Sequence, residues 1–469
     1  MDQDKNPLPD DVDAVVIGAT LTGLIAAWEL VRTGVSVVVV DAVEDLAETP
    51  ASIDLVSSTV RDPRGTLAQL FRDLEIEDLA IVYPTPTVAV SRSTGKPLVL
   101  DYENVLGIPV SPLDRRVSAV VGAGSSFRGY LDRIKPVLTV GKERFIGPLV
   151  RQRLGPGIAQ YLVEPVLRDR FGISGDEIEV NAAIPGLNEA LTRVGSLSGA
   201  VLSVSEEMVA HETLHSLVGG LGLIYSTLLE RIAFFGGRFI TGYCAENVEE
   251  SLNPGVVGHE WVINFSGDKS LSASAVIIAC EGDNLTIDPR TVSEWPQITE
   301  KRTRLRGEYG NRNHAVYSIS VMQCDSSALV DTPPYVVAEN DSSEICRVER
   351  VSVLWPHTVE ESPDGYELIR VIRRQKSGLS LQEQTQEIAD FMGMSQLDSA
   401  TLVREFSSSL SLDEARVVLL ADDDSDAARE PIPTLSYLPL WPRNTQLDHV
   451  VEATRLLSTG IRRTILGIV

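Results

Sequence analysis

The stretch from Asp13 to Asp41 limits the fold of this chain more than any other, because strand, turn, helix and strand follow one another without interruption. Asp13 to Ile17 reads as a buried strand, and an apolar-faced helix runs from about Leu21 to Thr33. Gly34 closes that helix, and Ser36 to Asp41 forms a second strand. Between the first strand and the helix lies Gly18-Ala19-Thr20-Leu21-Thr22-Gly23, the G-x-G-x-x-G setting of a dinucleotide-binding βαβ unit, with Asp41 as the acidic residue further on. In such a unit Gly18 makes the tight turn, Gly23 lets the helix pack on the sheet, and Asp41 accepts a ribose hydroxyl. The middle glycine, where bare backbone approaches a pyrophosphate at the helix N-terminus, is replaced by Thr20. A β-branched side chain there intrudes, although its hydroxyl offers one compensating hydrogen bond to a phosphate. The candidate cofactor-binding residues are Gly18, Thr20, Leu21, Thr22, Gly23, Asp41 and Ala42, with Ala245 and Ala279 from a later α/β segment. A Rossmann-like layer that holds no ligand is the competing reading.

That later segment opens with Gly219-Gly220-Leu221-Gly222, which leads into a helix to about Phe235. Gly236-Gly237 ends it, and strands follow at Phe239 to Ile240, Trp261 to Phe265 and Ala275 to Cys280. In between, Leu67, Leu70, Phe71 and Leu74 predict a helix over Pro63 to Leu79, and Val82 to Pro112 alternates as strands. Residues 143 to 195 read as mainly helical, residues 313 to 323 and 345 to 375 as strand-rich, and Leu381 to Met392 as a helix. The dinucleotide-type elements are thus interrupted twice by other material.

A chain of 469 residues fits two or three domains, and 43% apolar with 23% charged residues is ordinary for a globular protein. No stretch reaches the roughly 18 unbroken apolar residues that span a bilayer. The first ten residues are polar and include Pro7 and Pro9, unlike a signal peptide. Cys244, Cys280, Cys324 and Cys346 form no C-x-x-C pair, which points to a reducing compartment, the cytoplasm, and away from a zinc ribbon. A formal charge of −25 disfavours nucleic acid and anionic membrane surfaces, so an anionic substrate would need a local basic patch. Asp422, Asp423, Asp424 and Asp426 read as a solvated acidic loop rather than a metal site.

His211-Glu212-Thr213-Leu214-His215 matches the H-E-x-x-H pattern of zinc proteases. Zinc needs both histidines on one helical face and a third ligand, yet Val218-Gly219-Gly220 breaks any helix within a few residues. A coincidental loop is expected. His259, His314, His357 and His449 are isolated, so no metal ligand and no catalytic residue is assigned.

Longer stretches carry a family resemblance. Phe145 to Pro185 contains Leu149-Val150-Arg151-Gln152-Arg153-Leu154-Gly155, an apolar helix ending in Glu164-Pro165, and the aromatic-glycine turn Phe171-Gly172 followed by a strand. With Ile53-Asp54-Leu55, Thr87 to Pro109, Leu217 to Leu223, Val353 to His357 and Leu435 to Asp448, it resembles the FAD-dependent protoporphyrinogen and coproporphyrinogen oxidases, particularly the soluble bacterial kind. The resemblance implies an α/β fold: a Rossmann-like FAD-binding domain of the p-hydroxybenzoate hydroxylase type, an inserted α+β substrate domain and a helical domain. The implied boundaries are a dinucleotide-binding part over residues 10–81, 206–294 and 401–469, a mostly helical insertion over 82–205 and a substrate-domain sheet over 295–400. It also implies FAD as cofactor, oxygen as electron acceptor and a tetrapyrrole as the small-molecule substrate, oxidised from porphyrinogen to porphyrin in haem biosynthesis. The flavin supplies the redox chemistry and the protein positions and shields it.

The departures from that family gather around the cofactor. The Gly-Gly-Arg element that lies against the FAD phosphates corresponds here to Ala47-Glu48-Thr49. A carboxylate facing a diphosphate at ~4 Å would repel it by about 4 kcal/mol at an effective dielectric near 20. The next family motif becomes Asp54, Val56 and Ser58, losing a glycine and an acid, and a Gly-Gly pair becomes Arg168-Asp169. The final strand, at Leu466 to Val469, is expected to end before the element that contacts the flavin ring. Three readings stay open: an oxidase with a weakened flavin site, a non-catalytic member that binds a porphyrin or a protein partner, and a flavoprotein acting on some other substrate.

Overall fold

The computed structural model describes residues 12–49, 53–54, 57–62, 64–92, 95–135, 143–211, 213–251, 261–267, 269–280, 285–287, 315–357, 363–374, 378–397, 400–410, 435–437 and 447–467. Four consecutive valines make Val37–Asp41 (β2) apolar on both faces, as a strand inside a covered parallel sheet must be. β2 lies between Arg238–Thr241 and Val12–Ile17 (β1), parallel to both, and β1 pairs in turn with the parallel end of Lys269–Ile278. The sheet continues through Trp261–Phe265, Ala245–Glu250 and Thr286–Ile287, while Leu435–Tyr437 adds to Lys269–Ile278. Period-two alternation divides its core. Ala14, Val16, Val37 and Val39 face the helices, while Val15, Ile17, Val38 and Val40 pack with Trp261, Ile263 and Phe265.

Leu21–Val31 (α1) is buried along its whole length because Gly222–Phe234 and Leu447–Ile465 both pack on it. Glu29 is held in that environment by Arg32 and Arg455. A second sheet runs in the order Thr401–Leu410, Ala315–Asp325, Tyr366–Arg373, Ile345–Arg350, Tyr335–Val337, Ala89–Val90, Leu98–Val99. It is antiparallel except where Tyr335–Val337 meets Ala89–Val90. The helices between Arg115 and Ala200 share a core with Val90, Tyr335 and Val337, and Leu381–Phe391 packs with Met322, Val348 and Val371. Val60–Arg61, Leu214–Leu217 and Ala80–Tyr83 form a three-stranded sheet. The fold is therefore mixed α/β, a Rossmann-like parallel sheet beside an antiparallel one.

Several elements differ from the expectations. The helix over Pro63 to Leu79 is shorter, Thr66–Asp73, because Glu75 takes a left-handed φ of 59° and a 3-10 turn follows at Glu77–Leu79. The strand after Phe171-Gly172 is a single bridge from Phe145 to Glu179, followed by the short helix Val180–Ala183. No strand forms at Leu466 and Gly467, which turn at the end of the helix Leu447–Ile465; Ile468 and Val469 lie outside the described residues. His211 ends the helix Leu197–His211 while His215 sits in the strand Leu214–Leu217, so the two never share a helical face. No group of ligands that could hold a metal occurs among the described residues. The acidic run at Asp422–Asp426 lies outside them.

Candidate functional site

The motif residues gather at the carboxyl ends of β1, β2 and Lys269–Ile278. Gly18 has a φ of +106°, and a Cβ there would stand 2.5 Å from the Ala279 carbonyl oxygen. A Cβ on Gly23 would stand 2.2 Å from the Gly18 carbonyl oxygen. Both glycines are demanded by close backbone packing, whatever the site binds. Thr20 is the N-cap of α1: its hydroxyl oxygen accepts from the Gly23 N–H at 3.2 Å and its proton goes to the Ala279 carbonyl at 2.8 Å. The hydroxyl expected to compensate a phosphate is thus turned onto the protein.

Asp41 ends β2 partly exposed, and its two carboxylate oxygens accept from the N–H groups of Ala19 (2.6 Å) and Val43 (2.8 Å). Each oxygen keeps a lone pair for another donor, so the residue retains the capacity to accept a ribose hydroxyl. Ala42 is exposed beside it, and Ala245 starts a strand two residues after Tyr243, whose N–H bonds the Asp41 carbonyl. Leu21 and Thr22 are buried in the first turn of α1. Beneath the motif lies Tyr225, fully buried, whose hydroxyl donates to the Ala19 carbonyl at 2.8 Å. Burial, offset in part by Thr49, pushes its phenol up to about 12. The side chain of Glu48 lies outside the described residues.

A cleft of about 270 Å³ opens between the second sheet, the helical layer and the three-stranded sheet. Pro165 has no N–H for the carbonyl four residues back, and the helix takes a wide turn at Ala159–Val163 before Glu164–Phe171. That helix brings Asp169 to the cleft, opposite Tyr335 and Arg347 of the second sheet. The Tyr335 hydroxyl donates to Asp169 at 2.8 Å, and Arg347 Nη1 reaches both Asp169 (3.0 Å) and Tyr335 (2.9 Å). Trp355 closes another side, stacked edge-on against Tyr83.

Behind the cleft stands a buried wall of charge. Arg347 Nε meets Glu349 at 2.8 Å, and the other Glu349 oxygen meets Arg370 Nη1 at 2.8 Å. Arg370 Nη2 also donates to the Asp54 carbonyl (2.7 Å) and the Ser58 hydroxyl (2.8 Å). The Asp54 carboxylate then accepts from the Gly222 N–H at 2.8 Å, the start of the helix that carries Tyr225. Burial pushes Asp54 up to about 6, against the pull of the Gly222 N–H, Arg370 and the Leu221 N–H. Burial also lowers Arg370, with Glu349 opposing. Burial works against the charge of Arg347 too, yet Glu349, Tyr335 and Asp169 together hold it above its ordinary value.

Residues 11–73 match the family model of the FAD binding domain. A coproporphyrinogen III oxidase from Propionibacterium freudenreichii subsp. freudenreichii is 24% identical over 182 residues, 37% of this chain and 34% of that protein. The match spans about a third of that relative's length. The chain is a distant homologue of that coproporphyrinogen III oxidase over the matched stretch. A provisionally assigned protoporphyrinogen oxidase from Exiguobacterium sp. 255-15 superposes with a TM-score of 0.70 at 14% identity, over 97% of this chain and 99% of that one. A reduced UDP-galactopyranose mutase reaches 0.60 at 14% identity, over 98% and 94%. A putrescine oxidase bound to putrescine reaches 0.57 at 12% identity, over 96% and 98%. At such identities the superpositions show a shared fold.

Asp41 suits a ribose. At the turn the Ala19 and Gly23 N–H groups are bonded within the protein, and Tyr225 holds the loop after β1 from below through the Ala19 carbonyl. Each N–H so bonded is one donor fewer for a diphosphate at the helix N-terminus. Tyr225, Tyr335, Arg347, Glu349 and Arg370 are absent from the sequence-derived candidates, and Asp169 entered only as a lost glycine. One signal existed: charged residues interrupt the apolar strands Ile345–Arg350 and Tyr366–Arg373, and such residues are seldom buried unless paired. Among the described residues no helix is long and apolar enough to cross a membrane.

Proposed function

We propose that this chain is a porphyrinogen oxidase-like protein whose flavin site is weakened or lost and whose cleft takes a tetrapyrrole of haem biosynthesis. The observation that carries this reading is the use of the phosphate-facing groups by the protein itself: the Ala19 N–H on Asp41, the Gly23 N–H on Thr20, and the Thr20 proton on Ala279. The distant homology to coproporphyrinogen III oxidase supports the ligand class. The cleft, at about 270 Å³, lies just under the roughly 300–1,000 Å³ of small-molecule sites, so a macrocycle enters by an edge. The charges at its back are paired with one another, Asp169 with Arg347 and Glu349 with Arg370, which suits a wall that positions a ligand. Only the turn of the βαβ unit favours a non-catalytic member of the family. Cytoplasmic residence belongs to the same reading.

The test is a visible spectrum and a melting curve of the purified full chain, with and without FAD. A ligand at 100 times its Kd stabilises the native state by about 2.7 kcal/mol, so tight binding cannot pass unseen. A colourless protein with no rise in Tm at high FAD, which shifts the spectrum of added coproporphyrin or protoporphyrin, is the expected result. A yellow protein that bleaches on reduction and consumes oxygen with either porphyrinogen would overturn it.

A further inference from the structure

Val166 and Asp169 stand three residues apart on the helix Glu164–Phe171, and both line the cleft. Across from them the antiparallel register sets Tyr335 opposite Glu349 and Val337 opposite Arg347. Period-two alternation therefore puts Tyr335, Arg347 and Glu349 on one face of the second sheet, the face that lines the cleft. Two donors of that face, the Tyr335 hydroxyl and Arg347 Nη1, converge on the two carboxylate oxygens of Asp169 at 2.8 and 3.0 Å. Burial, against the opposing charge of Arg347, holds the Tyr335 phenol well above its ordinary value, so its hydroxyl keeps the proton it donates. A guanidinium and a phenol aimed together at one carboxylate make an anion site. The side chains of Arg347 and Asp169 are only 7% and 11% exposed, so water competes little for it.

We propose that Asp169 is a built-in carboxylate that fills the anion site of the cleft and so selects a tetrapyrrole that enters by a half without carboxylates. The proposal rests on the reading of the cleft as a tetrapyrrole site and adds which tetrapyrrole it takes. Protoporphyrin has such a half, because its carboxylates lie on two neighbouring pyrrole rings. Coproporphyrin has none, because every ring carries one. A carboxylate on the entering half would meet the charge of Asp169 and find both donors taken. It would forgo a hydrogen bond to a charged group, so the wild type should favour protoporphyrin by about tenfold or more. Arg61 and Arg170 also line the cleft and supply attraction for carboxylates elsewhere on the ligand.

The experiment titrates both porphyrins, by quenching of their fluorescence, into the full-length wild type, Asp169→Ala and Asp169→Asn. Asp169→Ala vacates the site for a ligand carboxylate, so coproporphyrin should gain about 10- to 100-fold and the preference for protoporphyrin should disappear. Asp169→Asn keeps the shape and an acceptor for Tyr335, which serves if the alanine variant does not fold. It removes only the charge, and coproporphyrin should gain about fivefold, the upper worth of an exposed charge pair. Apart from porphyrins, sodium acetate should raise the Tm of Asp169→Ala above its value in sodium chloride of equal ionic strength, and not that of the wild type. A wild type that prefers coproporphyrin, or folded variants with an unchanged preference, would overturn the role of Asp169. A wild type that binds neither porphyrin, with Asp169→Ala still answering to acetate, would overturn the tetrapyrrole reading and leave the anion site standing.

Discussion

The Arg370 guanidinium and the Glu349 carboxylate meet at 2.8 Å in a wall where both side chains are almost wholly buried. Glu349 is shared: its other oxygen serves Arg347, so one carboxylate pairs with two guanidinium groups between the cleft and the dinucleotide-type layer, and Asp169 supplies the second negative charge. A buried pair of this kind adds little over a well-packed apolar substitute, but removing one partner leaves a stranded charge.

Glu349→Ala should therefore destabilise the protein by about 3–5 kcal/mol, the cost of breaking a buried ion pair on one side. Urea denaturation monitored by far-UV circular dichroism measures it. A loss below about 1 kcal/mol, the range of exposed pairs, would mean that water reaches the wall.

Asp54 makes stability depend on pH. Burial pushes its carboxyl from the ordinary 3.8 up to about 6 in the folded chain, so between those values the native state binds more protons than the unfolded one. Stability contributed by this group is present below pH 3.8 and falls as pH rises to about 6. Asp54→Asn, which keeps an oxygen for the Gly222 N–H, should remove that fall. Denaturation of both proteins at a series of pH values checks it, and a stability difference that does not change across the window would refute it.

Thr20→Ala removes the cap of α1 and the bond to Ala279, and should cost about 1 kcal/mol, within the usual range for an N-cap. Thr20→Ser keeps both bonds and should stay within about 0.5 kcal/mol of the wild type, like an ordinary surface change. Equal losses in the two variants would show that the methyl group, not the hydroxyl, holds the turn.

Gly18→Ala and Gly23→Ala test why the motif glycines persist. The first forces a side chain onto a φ of +106°, a strain of about 1–3 kcal/mol before any clash with Ala279. The second drives a Cβ against the Gly18 carbonyl. Both should lower Tm equally with and without FAD. A loss seen only when FAD is present would assign the glycines to the cofactor instead.

The sequence by itself determined the βαβ unit, because a valine run, a glycine turn and a helical apolar face are local periodicities that read the same in isolation as in the fold. It also placed Gly18, Gly23 and Asp41, whose roles follow from backbone geometry over a few residues. Tertiary structure alone decided what those elements enclose. Tyr225 lies 206 residues from Ala19, and Arg370 lies 316 from Asp54, yet each pair is joined by a hydrogen bond. A polar side chain in an apolar run signals that a partner exists, but its direction is set only when distant strands and helices have packed. The same holds for Thr20: its type was legible as a fault in a phosphate-binding turn, while the Ala279 carbonyl that takes its proton is brought there by the sheet.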